Sequence, residues 1–486
     1  MRFSFNYTTP TITIQTFYGG GYTFMQIDNI WILTEERPKN HVIQKILELY
    51  ASDFNDTVTF DSISIEPIIQ SGKFTFTYVI KNVSVGKAEN VFLKTVSGSS
   101  SFFDFLLFRQ PNAPIEGSSS ETPLMAIEET KTGDDESRNT GVSQRGSKFV
   151  FIEEFYPSTK TYMLYNEEHA RDDNKRPSAT SIFGTNILLT LGATIVGKDI
   201  SKWFKPFTSI DELISFKQNM RRPPAGNVPI EITKYDDRIE ISGRLAKPSN
   251  AGNIGHDPNI GGLSMISKCL RVLGWDKDIV ITLHGVSQSY VNRTHGKNKF
   301  LYICDRLNIR LDGLNMPSST SLPEQYWHYE KSSEKVASIL LHMVCSKYGM
   351  SCVYENHAGC ERGYFWTKDR REITLPKKDR HNNNLLLPDV VLFDEPTNQV
   401  LLVEGKKLST MQNGINEIQG YDSIEEDYIN KFYPNCAVLR CVSIFGGNKR
   451  GQLHSDVLIY VNLSGEIFIN PNAPLCVKEA FRKEGI

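Results

Sequence analysis

The sequence predicts a mixed α/β protein with two cores, each a mixed central sheet flanked by helices. In both halves, segments with alternating apolar residues, typical of strands, are interspersed with segments whose apolar residues recur at helical spacing. In addition, each half contains a pair of apolar strands that carry acidic residues, at residues 102–131 and 387–408. These two observations give each half its own set of strands and helices and its own acidic residues.

The length and composition indicate a multidomain globular protein. The 486 residues are enough for several cores, and 40% hydrophobic content with a net charge of -2 shows no bulk bias, so a nucleic-acid partner would meet local basic patches. No signal peptide and no apolar run approaching roughly eighteen residues is visible, so we expect a cytoplasmic protein without a membrane partner. Cys352, His357 and Cys360 lack a second ligand pair, so no zinc site is predicted.

The N-terminal half begins with alternating β-rich segments, followed by a predicted helix at residues 41–54, which carries Glu48, and by predicted strands at 57–69, 73–85 and 91–96. Asp104 then lies inside an apolar strand, where a charge is costly to bury without a partner or a metal ion. The next strand, 124–131, places Glu129 and Lys131 on one face and Glu128 on the other. This is one acid, acid, lysine group.

The C-terminal half contains the clearer group, on the predicted hairpin at 387–408. Asp389 opens the first strand, and Glu404 and Lys406, on one face of the second strand, follow after fourteen intervening residues. Two carboxylates and the Gly405 carbonyl would form an oxygen-only site suited to Mg²⁺, with Mn²⁺ as a substitute and Lys406 near the attacking water. The alternative is a surface hairpin with a solvated Glu/Lys end.

Pro388-Asp389 followed by Glu404-Gly405-Lys406 resembles the motif of the PD-(D/E)xK nuclease superfamily. The predicted order of helix 332–350, hairpin, helix 414–434 and strand 436–447 is similar to the superfamily core. The resemblance implies a restriction-endonuclease-like core in each half, with Asp389, Glu404 and Lys406 catalytic in one and Asp104, Glu129 and Lys131 in the other. It also implies metal binding by both acid pairs and by Gly405. The accessory residues that we infer are Glu48, Gln144, Glu334 and Gln419.

Two basic segments are candidates for DNA contacts, because phosphate contacts supply much of the affinity for DNA. They contribute Arg138, Arg145 and Lys148 in the first half and Arg370, Arg371, Lys377, Lys378 and Arg380 in the second.

The predicted function is a type II restriction endonuclease, a magnesium-dependent enzyme that cuts double-stranded DNA at specific sites and leaves 5′-phosphate ends. Each half could cut one strand, with a homodimer as the alternative, and a separate DNA methyltransferase is expected because the chain shows no such motif. A Pro/Ser-rich linker at 315–325 predicts domains at 1–319 and 320–486. The alternatives are a structure-specific repair or recombination nuclease, and a DNA-binding protein with degenerate nuclease cores.

Overall fold

A computed structural model describes residues 28–86, 88–96, 103–114, 121–130, 141–165, 176–220, 230–244, 258–294, 299–316, 335–357, 364–376, 378–447 and 454–486. Over these residues the protein is a mixed α/β structure in which several mixed sheets are flanked by helices, so the predicted fold class is confirmed at this level. The predicted domain boundary falls among residues 317–334, outside the described residues.

The first sheet has eight strands accompanied by three helices. Along the chain these elements are β1 (Asn29–Thr34), α1 (Asn40–Asp53), β2 (Val58–Gln70), β3 (Lys73–Val85), β4 (Val91–Thr95), β5 (Phe105–Gln110), β6 (Met125–Thr130), α2 (Gly141–Phe155), β7 (Lys160–Tyr165), α3 (Ala179–Thr190) and β8 (Thr194–Val196). The strand order is β2-β3-β4-β1-β5-β6-β7-β8. The helix and the strands predicted between residues 41 and 131 are confirmed as α1 and β2 to β6, except that Asp104, predicted inside a strand, lies just before β5.

A second sheet of four strands follows. The elements are α4 (Ile210–Gln218), β9 (Glu231–Lys234), β10 (Arg238–Arg244), α5 (Pro258–Val272), β11 (Asp278–His284), α6 (Gln288–Thr294), α7 (Lys299–Arg306) and β12 (Ile309–Leu311). Their order is β12-β11-β10-β9. Helix α5 buries Leu263, Ile266 and Leu270 and packs against α2, so the apolar core of this sheet is continuous with one face of the first sheet.

The C-terminal half forms a six-stranded sheet and a small two-stranded one. The elements are α8 (Val336–Lys347), β13 (Ser351–Glu355), β14 (Tyr364–Trp366), β15 (Glu372–Thr374), β16 (Val390–Asp394), β17 (Gln399–Lys407), a 3₁₀ turn (Leu408–Thr410), α9 (Met411–Ile418), α10 (Asp422–Ile424), a π-helical turn (Glu425–Ile429), α11 (Asn430–Phe432), β18 (Ala437–Phe445), β19 (Val457–Val461), β20 (Ile467–Ile469) and α12 (Leu475–Lys483). The order is β13-β16-β17-β18-β19-β20. The predicted first helix, hairpin and strand are confirmed over their described residues, whereas the predicted helix 414–434 is divided into α9, α10, the π-helical turn and α11.

The two large sheets contain the same run of five strands. In β1-β5-β6-β7-β8 and in β13-β16-β17-β18-β19, the successive pairings are antiparallel, antiparallel, parallel and parallel. Helices connect the third and fourth strands of each run, through α2 in one case and α9 to α11 in the other. The hairpins that carry the acidic residues therefore occupy equivalent places in the two sheets.

Helix α8 lies between the two large sheets. Its first ten residues are all buried, because one side packs on the six-stranded sheet and another contacts β2. One apolar cluster includes residues from both sheets and from α8. The two sheets also meet directly, since the Phe74 N–H donates to the Gly465 carbonyl at 2.7 Å and Lys73 pairs with Glu466 at 3.1 Å. A shared core of this kind positions the two hairpins relative to one another.

Candidate active site

The hairpin of β16 and β17 brings Asp389 and Glu404 together. Val390 pairs with Val403, so the residues next to this pair, Asp389 and Glu404, lie opposite one another on the face covered by α9 to α11. The turn has only four residues, 395–398, and the Asp394 carboxylate accepts hydrogen bonds from Thr397 within it. A short turn and the alternation of side chains thus determine this register.

Both carboxylates are buried and hydrogen-bonded. Asp389 is 4% exposed and accepts from the Gly405 N–H at 2.7 Å, while Glu404 is 3% exposed. Glu404 accepts at Oε1 from the Lys406 ammonium at 2.8 Å and at Oε2 from the Tyr421 hydroxyl at 2.6 Å. The contact shown for Gly405 is made by its N–H, whereas the sequence suggested its carbonyl as a ligand. Asp389, Glu404 and Lys406 therefore converge as the hairpin pattern predicts.

A further lysine, which the sequence analysis did not identify, occupies the position between the carboxylates. The Lys335 ammonium, just before α8, lies 2.6 and 2.7 Å from the two Asp389 oxygens and 3.5 Å from Glu404 Oε1. Its neighbour Glu334, the predicted accessory acid, lies outside the described residues. In the sequence, the only indication of Lys335 was that a lysine stands at the start of the helix that precedes the hairpin. Which residue of this helix faces the two carboxylates depends on how α8 docks on the sheet.

The charges at this site follow from burial and close pairing. Burial raises the pKa of Asp389 to about 7, an effect that Glu404 increases and Lys335 opposes. Burial alone would lower the pKa of Lys406, but hydrogen bonds to Glu404 and to Glu417 at 2.8 Å raise it above the ordinary lysine value. Lys406 is therefore a charged ammonium near neutral pH, which suits stabilisation of negative charge better than removal of a proton from water.

The residues present fit a hard divalent cation. Asp389 and Glu404 provide oxygen atoms from two buried carboxylates on one face, and oxygen is the donor that Mg²⁺ prefers. The Lys335 ammonium holds the positive charge that two adjacent buried carboxylates require. In this arrangement it stands in for the cation that the pair would otherwise bind.

The hairpin of β5 and β6 reproduces much of this geometry, with a shift of one residue from the prediction. Phe105 pairs with Ile127, which places Asp104 opposite Glu128, and the Glu129 N–H donates to Asp104 at 2.7 Å. Glu128 thus corresponds to Glu404, and Glu129 corresponds to Gly405. Glu129 is buried on the opposite face of the sheet, and position 130, which corresponds to Lys406, is a threonine.

Two predicted DNA contacts in this half instead neutralise Glu128. The Lys148 ammonium lies 2.8 and 2.7 Å from the two Glu128 oxygens, and Arg145 Nε lies 2.7 Å from Oε1. Lys148 is only 6% exposed. Positions 145 and 148 of α2 face Glu128 of β6, so Lys148 is buried in an ion pair in this structure, and its phosphate contact stays a prediction. Arg145 is held by the same carboxylate.

The basic segment before the C-terminal hairpin is exposed and partly paired with acids. Arg371 pairs with Asp369, Arg380 pairs with Glu426 and Asp427, and the Lys378 ammonium donates to the Asn382 carbonyl at 3.0 Å. Arg370 is exposed on a turn. The segment is anchored to α10 by a 3.0 Å hydrogen bond from Ser423 to Asp379.

The remaining predicted residues do not join either carboxylate pair in the described contacts. Glu48 accepts a hydrogen bond from Gln44 on the surface of α1, and Gln419 is exposed at the end of α9, where its carbonyl accepts from Arg440. Lys131, Arg138 and Lys377 lie outside the described residues, and the side chain of Gln144 is likewise not among those described.

No protein-family model, curated protein or solved structure matches this chain. Among the described residues, no helix combines the length and apolar character needed to cross a membrane.

Proposed function

We propose that the chain is a magnesium-dependent, site-specific DNA endonuclease of the type II restriction kind, with a PD-(D/E)xK site in its C-terminal half. The observation that carries this proposal is the convergence of Asp389, Glu404 and Lys406 at the end of one hairpin. The equivalent strand runs in the two sheets support a restriction-endonuclease-like core in each half.

Each residue of the C-terminal site has a distinct task in this proposal. Asp389 and Glu404 hold the cation, and Tyr421 fixes the orientation of Glu404 through its 2.6 Å hydrogen bond. Bound magnesium supplies a Lewis acid for the scissile phosphate and lowers the pKa of its water ligands. Lys406, a protonated ammonium, stabilises the charge that develops on the phosphate. Lys335 gives up its contacts with Asp389 when the cation binds.

In a second form of this proposal, the N-terminal half does not cut DNA. One observation favours this form over a chain in which each half cuts one strand. Threonine at position 130 cannot supply the ammonium that Lys406 supplies at the equivalent position of β17. We propose that this half recognises DNA without cutting it. The C-terminal half of a second chain would then cut the other strand, in a homodimer.

Cleavage of a supercoiled plasmid tests both statements. We expect wild-type protein with magnesium to produce discrete linear fragments, and Lys406→Ala to reduce the rate on the order of 100-fold or more, because it removes one electrostatic stabiliser. Lys407→Ala, at the neighbouring position of β17, is the matched control and should retain activity. Absence of DNA cleavage by wild-type protein across many plasmid sequences, or full activity of Lys406→Ala, would contradict the proposed function.

The division of tasks is tested by paired glutamate variants. Glu404→Gln should stop cleavage of both strands, whereas Glu128→Gln should still linearise the plasmid when its fold is retained. Nicked circles from Glu128→Gln, with only one strand cut, would instead support two cutting sites in one chain. Circular dichroism of both variants checks the fold, since Glu128 is buried with two cations.

A further inference from the structure

Three metal-ligating side chains meet between α8 and the end of β13. His342 lies on α8, Glu355 is the last residue of β13, and His357 follows two residues later. One ligand atom from each side chain lies within 4.8 Å of the others. The two histidines are 0% and 3% exposed. The cluster connects α8 to the end of β13, which is the next element along the chain.

Two of the three distances within the cluster are close to those between ligands of one metal ion. His342 Nδ1 lies 3.1 Å from His357 Nε2 and 3.5 Å from Glu355 Oε2. In a tetrahedral zinc site with metal–ligand bonds of about 2.0–2.1 Å, neighbouring ligand atoms are about 3.3 Å apart. The two distances in the cluster lie on either side of this value.

Hydrogen bonding at Ser338 determines which nitrogen of His357 carries the proton. The Ser338 hydroxyl donates to the Lys335 carbonyl at 3.1 Å, and its oxygen also lies 3.3 Å from His357 Nδ1. Because the hydroxyl has one proton and has given it away, it can only accept from the Nδ1–H of His357. The lone pair of neutral His357 is then on Nε2 and faces His342. A second partner on the far nitrogen is the usual support of a metal-binding histidine.

The third donor also favours a cation. Among the described contacts, Glu355 Oε2 is buried without a hydrogen-bond donor. A buried carboxylate oxygen without a donor is costly, and a cation shared with the two imidazoles would remove that cost.

We propose that His342, Glu355 and His357 form a binding site for a transition-metal dication of the zinc class, distinct from the Asp389/Glu404 pair. Two imidazole nitrogens and one carboxylate oxygen are a donor set that zinc accepts, whereas Mg²⁺ prefers oxygen donors alone. The chain would thus bind two chemically different cations.

The position of the cluster gives this metal a structural task. The Asn356 N–H donates to the Asp389 carbonyl at 2.7 Å, and Ser338 connects His357 to the backbone of Lys335. A metal ion bound by His342 and His357 cross-links α8 to the segment after β13. It therefore holds in place the backbone on both sides of the Asp389/Lys335 contact.

Metal binding by the full chain, without DNA, tests the proposal. Chelator-treated protein is titrated with Zn²⁺ by calorimetry and with Co²⁺ by visible absorption, which reports ligand geometry. We expect one tight site, and a loss of affinity on the order of 100-fold or more in Glu355→Gln and in His357→Gln, since even outer-shell changes cost 10- to 100-fold. Glu404→Gln, the same chemical change at the neighbouring carboxylate pair, is the matched control and should keep wild-type zinc affinity.

Three results would overturn the proposal: no stoichiometric zinc binding by wild-type protein, wild-type affinity in both Glu355→Gln and His357→Gln, or loss of zinc binding in Glu404→Gln instead. Circular dichroism in chelator confirms that the variants are folded before each titration. Because this experiment measures zinc binding and not DNA cleavage, its result can be interpreted even if the proposed nuclease function is wrong.

Discussion

Replacing Lys335 with methionine should tighten binding of a divalent cation at the Asp389/Glu404 pair. The Lys335 ammonium contacts both Asp389 oxygens, at 2.6 and 2.7 Å, and lies 3.5 Å from Glu404. A cation that binds both carboxylates must displace this ammonium. Methionine keeps a similar apolar stem but removes the competing charge, so the binding cation no longer has to break that contact.

The size of the effect follows from the contact that is lost. A hydrogen bond to a charged group contributes about 1.5–3 kcal/mol net, and about 1.4 kcal/mol corresponds to a factor of ten in affinity. We therefore expect Lys335→Met to lower the dissociation constant of the cation about 10- to 100-fold. In chelator the same variant should be less stable, by about 3–5 kcal/mol, because the buried Asp389 carboxylate is left without its ammonium, while Glu404 keeps Lys406.

Electron paramagnetic resonance of Mn²⁺, with full-length protein and no DNA, measures this affinity. The signal assigned to the carboxylate pair is the bound Mn²⁺ that excess Mg²⁺ displaces and that Glu404→Gln lacks. Lys347→Met is the control, since Lys347 lies at the other end of α8 and pairs with Glu66 and Glu484. Unchanged or weaker Mn²⁺ binding in Lys335→Met would refute the reasoning and show that Lys335 positions the carboxylates for the cation.

Three further predictions concern stability, measured by scanning calorimetry. In chelator, the stability that Asp389 contributes, taken as wild type minus Asp389→Asn, should fall by about 1.4 kcal/mol per pH unit as the pH rises from 3.8 towards 7, because the raised pKa of Asp389 makes the folded state bind more protons than the unfolded state there; Mg²⁺ should flatten this difference, and a difference that rises with pH would contradict it. Lys148→Met should lower the free energy of unfolding by about 3 kcal/mol, since Glu128 stays buried with one cationic partner fewer. An unchanged midpoint of thermal unfolding would argue against a buried ion pair between Lys148 and Glu128. Gly192→Ala should destabilise the fold by about 1–2 kcal/mol, and Gly465→Ala should destabilise it clearly more. Both glycines have φ above +80°, but a Cβ at position 465 would lie 2.0 Å from a backbone oxygen of β3, while a Cβ at position 192 would have open space. Equal losses would show that the contact between the sheets adapts.

The sequence by itself determined the elements and the C-terminal hairpin. Apolar alternation predicted the long strands, helical spacing predicted α1 and α8, and the structure contains each of them. The opposition of Asp389 and Glu404 was predictable because a four-residue turn leaves one register that buries the apolar face of both strands. Contacts between residues this close in sequence depend on local geometry alone.

The N-terminal hairpin shows where sequence reasoning reached its limit. The connection between β5 and β6 spans residues 111–124, and a loop of this length does not determine the register of the strands that it joins. A shift by one residue moves a side chain to the opposite face of the sheet, so Glu128 lies opposite Asp104 where the sequence suggested Glu129. Lys148 was assigned to the surface because nothing local showed which face of α2 meets the sheet.

Contacts between distant segments were decided only by the tertiary structure. Lys335 lies 54 residues from Asp389 along the chain, and His342 meets His357 across a helix, a turn and a strand. Each contact depends on how α8 docks between the two large sheets, and that docking is driven by apolar burial, which is not directional. The sequence therefore determined which chemical groups are available, whereas the packing of α8 determined which of them share a site.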